Sequence, residues 1–508
     1  MQTRTESVLG AVLFVAMTAC RKAAPVEATG ESSGAVEAGA EAIVQAAAVQ
    51  ARGEASPEAE AGSSGSGPRI APARCRAADP AIALDADGAP SDLELGDAIE
   101  APAGYAVSLL HRTPRGLEAA VGLVSAGADV HGVKSLSALV DLGPTLGDAP
   151  PPRLLLAGGD LIAGAYSIAP DAGAANGGAR ARHLFLYDVP ATGEAKAILD
   201  VPQQRDDSLS FDVALAALVH PAPSGPSGPP PRSSVVVVWD EASRAGHGVI
   251  RATIVPLGDR TSSSAPPGPA PLASAGSVRD VSPPESDAEA PRLVSYGAGS
   301  IVLWIARKPE PGVAPDAAEV EATGEARSFG WLESVMLDER GAPAGPVRRL
   351  TPASGHVSAY DVRTLPAAQR PTLLVVARDD GEAVDASGGE LLRVRIVGDA
   401  VEPPVAFPSD GLGRGGPALV DGDPPWLVWI GPHEQLRLLP LDAEGAPAGK
   451  PSAEDEMSEA RPLAFLRDAF RGAGAPRDNT STGGGARRVL VASPLDPAAQ
   501  LRVFACTL

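Results

Sequence analysis

The sequence predicts an all-β repeat fold, and three observations carry that expectation. Short Val- and Leu-rich runs recur between Gly/Pro-rich loops from about residue 98 onward, as strands do. Two repeats align over most of their length, with Trp304 and Trp429 in the same place and the near-identical segments LDERGAPAG (337–345) and LDAEGAPAG (441–449). The body also shows almost no amphipathic helical pattern. Self-similarity of this kind selects a repeat architecture. In the all-β class that architecture is a ring of small twisted sheets, the β-propeller. Pairing the runs gives seven units and hence seven blades. Six or eight blades, or tandem β-sandwiches, are the alternatives.

The clearest runs are 153–159, 234–240, 300–307, 372–378, 426–431 and 488–493. Each is followed by a second: 183–189, 248–255, 330–338, 390–397, 435–442 and 500–506. An earlier pair lies at 105–112 and 117–124, and 211–218 and 359–365 read as a third strand preceding their pairs. The repeated turn joins antiparallel strands, its Gly supplying a positive φ, and a related LDADGAP segment places Asp85 in a similar turn. Pro/Gly/Ser-rich insertions are expected at 221–232, 260–290, 308–328 and 471–487.

Composition excludes several classes. A net charge of −21 lacks the basic face that nucleic acids and anionic membrane surfaces require, so no nucleic-acid partner is expected. Three Cys in 508 residues are too few for a disulfide scaffold or a Cys-rich zinc domain. The seven His show no ligand spacing, so neither a metal nor a cofactor is expected. Short motifs fail on context. Gly30–Gly34 matches a nucleophile elbow but sits in a polar, low-complexity segment. Gly411–Gly416 matches a dinucleotide loop but is followed by Pro417 and a strand rather than a helix. Gly445–Lys450 resembles a phosphate loop but is one residue short and belongs to the repeated turn. Trp239-Asp240 precedes Gly246-His247, the reverse of the WD-repeat order, and reads as a Trp packed between blades. Asp379, Asp380, Glu382 and Asp385 lack the alternation of a calcium loop and read as a hairpin tip. Asn479-Thr480-Ser481 matches a glycosylation sequon, a short pattern that by itself assigns no role.

The N-terminus reads as an address. Residues 8–19 (VLGAVLFVAMTA) are apolar but too short to span a bilayer, as in the core of a signal peptide. The run ends Met17-Thr18-Ala19-Cys20, which resembles the lipobox of bacterial lipoproteins, with Met17 where Leu is usual. The resemblance implies acylation of Cys20 and a membrane partner reached through the N-terminal lipid. Arg21 stands where inner-membrane members often have Asp, which implies the outer membrane. An ordinary signal peptide cut near Ala19, giving a periplasmic or secreted protein, is the alternative. Residues 20–70 hold seven Glu and almost no large apolar residue, a composition expected of a disordered tether. The organisation is therefore a signal peptide at 1–19, a lipid-anchored tether at 20–70 and a propeller domain at 71–508. Taken whole, the chain resembles the β-propeller lipoproteins of high-GC Gram-negative bacteria.

Two functions remain open. One is a non-enzymatic envelope protein presenting a rigid face to a protein or glycan, and this reading is favoured. The other is an enzyme with its site at the channel mouth. Asp212 and Asp361, each between an aromatic residue and Val, are the one hint of repeated acids, and repeat structure explains them as well. With Cys20 acylated, two Cys remain. Ring closure by 81–95 beside the last strand would place Cys75 and Cys506 on neighbouring strands and let them form a disulfide. Two unpaired thiols are the alternative.

Overall fold

In a computed structural model of the chain, every described regular element is a β-strand. The structure describes residues between 74 and 507, leaving out 78–81, 84–92, 127–132, 169–181, 202–209, 216–233, 258–275, 310–327, 366–369, 382–388, 421–424, 455–459, 468–486, 495–499 and gaps of one to three positions. The signal, the tether, Cys20, Gly30–Gly34, Asp85 and Asn479 lie outside the described residues.

Two short strands, β1 (Arg74–Ala77) and β2 (Ile82–Ala83), come first. Sheet 1 follows with β3 (Leu93–Ala101), β4 (Gly104–Thr113), β5 (Gly116–Ala126) and β6 (Val133–Pro144). Sheet 2 holds β7 (Arg153–Ala157), β8 (Asp160–Ile168), β9 (Arg182–Val189) and β10 (Lys196–Asp200). Sheet 3 holds β11 (Phe211–Leu215), β12 (Ser234–Ala242), β13 (Gly248–Pro256) and β14 (Arg279–Asp280). Sheet 4 holds β15 (Asp287–Tyr296), β16 (Gly299–Pro309), β17 (Ser328–Leu337) and β18 (Arg348–Arg349). Sheet 5 holds β19 (Val357–Leu365), β20 (Thr372–Asp379), β21 (Glu390–Val397) and β22 (Ala400–Val401), with β23 (Val405–Ala406) also on β21. Sheet 6 holds β24 (Ala418–Val420), β25 (Trp426–Ile430), β26 (Leu436–Pro440) and β27 (Ser452–Glu454). Sheet 7 holds β28 (Ala460–Arg467), β29 (Arg487–Pro494) and β30 (Gln500–Thr507), and takes β1 and β2 on the outer edge of β30.

These are seven antiparallel sheets among the described residues, simple meanders except that sheet 5 adds β23 to β21 and sheet 7 takes β1 and β2 from the N-terminal side. Their first strands touch in a closed circuit, β3 to β7, β11, β15, β19, β24, β28 and back to β3. The apolar cores lie between successive sheets. Trp239, Val235 and Val237 of sheet 3 pack with Leu184 and Leu186 of sheet 2, while Val236 and Val238 of the same strand pack with Trp304 of sheet 4. Leu303 and Leu332 of sheet 4 meet Leu373 and Val375 of sheet 5, whose Leu374 and Val376 turn to Trp429 of sheet 6. Each of these sheets thus has two neighbours, which a sandwich cannot provide. The chain is a β-propeller.

This packing explains the apolar runs. β12 and β20 are buried at every position because both faces meet a neighbouring sheet. A strand buried on both faces reads as a continuous hydrophobic run, whereas β21, further from the axis, alternates. Trp239 and Trp304 are fully buried between sheets, as the sequence reading expected of Trp239.

The repeated turn joins the third and fourth strands of its sheet and is built identically twice. Asp338 Oδ1 accepts the N–H groups of Arg340 and Ala342, each at 2.8 Å. Asp442 Oδ1 accepts those of Glu444 and Ala446 at 3.0 and 2.7 Å. Gly341 and Gly445 take φ of 73° and 74°, a region where an L side chain is strained.

Several sequence expectations need correction. Segment 153–159 is the first strand of its sheet, not the equivalent of 234–240, and the second strand at 160–168 was not foreseen. Sheets 1–4 and 6 have four strands and sheets 5 and 7 have five, which satisfies the reading of at least three per unit and adds outer strands as short as two residues. The insertion at 260–290 is narrower, because β14 and the start of β15 fall inside it. Ring closure uses 74–77 and 82–83, while 93–101 opens sheet 1.

Candidate functional site

The first strands bring a set of charged side chains towards the axis. Asp97 sits on β3, Arg153 on β7, Asp212 on β11, Arg292 on β15 and Asp361 on β19, so acid and base alternate over five consecutive sheets. In sheet 6 the equivalent of the two arginines is Ala418.

The register repeats at atomic level. Asp97 Oδ2 accepts the N–H of Leu154 at 3.1 Å. Asp212 Oδ2 accepts that of Leu293 at 2.8 Å. Asp361 Oδ2 accepts that of Leu419 at 2.7 Å. Each carboxylate therefore ties its own first strand to that of the next sheet. The second oxygen is also engaged. Asp97 Oδ1 receives the Arg153 guanidinium at 2.8 Å, and the Oδ1 atoms of Asp212 and Asp361 receive the N–H groups of Val213 and Val362 at 3.0 and 2.9 Å. Tyr360 adds a tie between sheets 5 and 4, donating its hydroxyl to the carbonyls of Ala290 and Leu303 at 2.8 Å each.

The electrostatics show convergence. Burial pulls the Arg153 guanidinium down, but the charges of Asp97, Asp212 and Asp361 more than offset it, and its pKa ends above the ordinary value. Arg153 on sheet 2 thus feels Asp361 on sheet 5, three sheets round the ring. Burial raises the Asp212 carboxyl above its ordinary value against the pull of Arg153, Arg292 and the Leu293 N–H. Burial likewise drives the Tyr360 hydroxyl well up, in the field of Arg292, Asp212 and Asp361. Arg153 and Asp97 are each about a quarter exposed (26% and 27%), so water reaches them although protein surrounds them.

Chemically, the arrangement favours rigidity. Both oxygens of Asp212 and of Asp361 accept main-chain N–H groups, which ties these acids into the ring. Asp212 and Asp361, singled out in the sequence, do stand on the inner strands and share one role. Asp97 was missed because it lies in a Gly-Asp-Ala context without the flanking aromatic residue, and the arginines because their meaning depends on the ring.

The other candidates resolve as structure. Asp379 Oδ1 accepts the N–H groups of His356 and Gly381 at 3.0 and 2.9 Å, and Asp380 pairs with Arg378 at 2.6 Å, so both acids serve their hairpin. Glu382 and Asp385 lie outside the described residues. Gly413 and Gly415 offer carbonyls to Arg378, and Gly411–Gly416 is a loop before β24. Among the described residues no group of three His, Cys, Asp or Glu could hold a metal ion. A depression of about 410 Å³ is lined by Tyr296, Met336, Asp338 and Asp399 and opens to solvent. The register of β1 on β30 sets Cys75 opposite Cys506.

No family model matches the chain. No curated protein matches it either. Solved structures similar to it include the Dos1 propeller, at 9% identity and a TM-score of 0.37, covering 81% of this chain and 77% of that one. A mutant of Aleuria aurantia lectin in complex with alpha-methyl-L-fucoside is similar at 11% identity and a TM-score of 0.33, covering 72% and 97%. The soluble aldose sugar dehydrogenase of Escherichia coli in its apo form is similar at 13% identity and a TM-score of 0.31, covering 67% and 94%.

Proposed function

We propose that this chain is a lipid-anchored protein of the cell envelope, placed in the outer membrane through Cys20, whose propeller presents a rigid face to a protein or glycan partner. One observation carries the binding part of this reading. The inner-strand acids Asp97, Asp212 and Asp361 all spend a carboxylate oxygen on the N–H of the next sheet, which stiffens the ring that a binding face stands on. The lipobox-like end at Met17–Cys20 supports the anchor. Among the described residues no helix is long and apolar enough to cross a membrane, so a helical anchor within the ring is not called on.

Crosslinking in cells tests the reading. A photoreactive residue is placed in turn at exposed positions on each rim of the ring, and envelope fractions are compared. Discrete adducts confined to one rim are expected. Adducts absent from both rims, together with no retention of any glycan by the purified chain, would refute the platform.

A further inference from the structure

Beside the contact of β28 with β3, the ring is closed among the described residues by six positions of the N-terminal segment. β30 has β29 along one edge, and its other edge is covered by the four residues of β1 and the two of β2. The register is Arg74 to Thr507, Cys75 to Cys506, Arg76 to Ala505 and Ala77 to Phe504, then Ile82 to Leu501 and Ala83 to Gln500. Of the three Cys in the chain, two therefore occupy directly opposed positions, 431 residues apart in sequence, at the seam of the ring. Opposed residues of an antiparallel pair share a face, with Cα atoms roughly 4.5–5.5 Å apart. That separation lies within the roughly 4.4–6.8 Å a disulfide spans. On the other side of β30, Cys506 is opposite Arg488 of β29. The row across the sheet therefore reads Cys75, Cys506, Arg488 in backbone register.

We propose that Cys75 and Cys506 form a disulfide that clasps the first strand to the last and locks the ring shut, made by exchange with a donor disulfide. One Cys thiolate attacks the donor, forming a mixed disulfide and expelling one donor thiolate. The second Cys thiolate attacks the Cys sulfur of that mixed disulfide, forming the clasp and expelling the other donor thiolate. The two protons released by the Cys thiols pass to the donor. In sum, two Cys thiols are oxidised by two electrons and one donor disulfide is reduced to two thiols. The presence of a donor in the cell rests on the envelope location proposed above, while the pairing rests on the register alone.

The test separates the two. Full-length protein is recovered from cells with free thiols alkylated at once, and non-reducing mass spectrometry is run. In parallel, purified Cys20→Ala protein is equilibrated with oxidised and reduced glutathione. A crosslinked Cys75–Cys506 peptide is expected in both arms, lost on reduction. Reduction should lower the folding equilibrium constant on the order of 30-fold or more, the low end for removal of a native disulfide. The Cys75→Ala/Cys506→Ala variant should match the reduced protein and show no further effect of reductant. A bond that forms in glutathione but is missing from cells upholds the pair and overturns the envelope location. Two alkylated thiols after oxidised glutathione overturn the clasp, and so does an unfolding midpoint indifferent to reduction.

Discussion

Replacing Asp361 by Ala separates a structural tie from a catalytic acid. In the native ring its two oxygens accept the N–H groups of Leu419 and Val362 at 2.7 and 2.9 Å. Ala removes both acceptors. An N–H left without a partner away from water costs about 1–3 kcal/mol. Asp361 is half-buried, so water can take up part of the loss, and the expected destabilisation is about 2–4 kcal/mol. Asp361→Asn keeps one acceptor oxygen and should lose about half as much. A denaturant titration of wild type and both variants gives the size of the effect. Amide hydrogen exchange gives its address, since protection should fall most at Leu419, on the neighbouring sheet, 58 residues away in sequence. A catalytic acid in a strained site predicts the reverse, because removing such a group commonly leaves stability unchanged or raised. An Asp361→Ala protein with the wild-type midpoint and unchanged protection at Leu419 would refute the ring-tie argument.

Asp212 carries a pH signature. Burial raises its carboxyl, so ionisation weakens the folded state; that weakening is complete above the folded pKa and vanishes below the unfolded one. Wild type should therefore gain stability relative to Asp212→Asn as pH falls through that window, and urea midpoints that keep a constant difference at all pH values would contradict it. Gly445→Ala places a Cβ at φ of 74° and 2.9 Å from Leu374 Cδ2, and should destabilise by about 1–2 kcal/mol from the backbone alone, read as a fall in melting temperature. Cys20→Ala should move the protein from the membrane to the soluble fraction, and an unchanged fractionation rules out the lipid anchor.

What was legible in the sequence follows from where each strand stands. β12 and β20 announce themselves because two faces of burial demand apolar residues at every position. β8 hid because its sequence, DLIAGAYSI, is rich in small residues, and the packing requires them. A Cβ on Gly164 would come within 2.9 Å of the Phe211 ring on the next sheet. β14 and β18 hid because two residues carry no period. Asp212 and Asp361 could be noticed through their aromatic and Val neighbours, yet their work lay in the N–H groups of Leu293 and Leu419, 81 and 58 residues away. No local pattern encodes such a partner. That a first segment lies beside the last strand follows from the demand that a ring must close, and the pairing begins at Arg74, earlier than the expected 81–95.

The closed circuit of first strands gives the molecule an unusual relation to its own ends. A linear array of repeats has two terminal members with a bare face each, and those members must be specialised as caps. A ring has no terminal member, so no sheet needs an outward face made polar to protect it. Continuous apolar second strands can therefore recur from sheet to sheet without exposing a flank to aggregation. The vulnerability is moved from two broad faces to a single seam, held among the described residues by the ladders of 74–77 and 82–83 on the last strand. A ring opened at that seam would regain the two ends that a linear array has to cap.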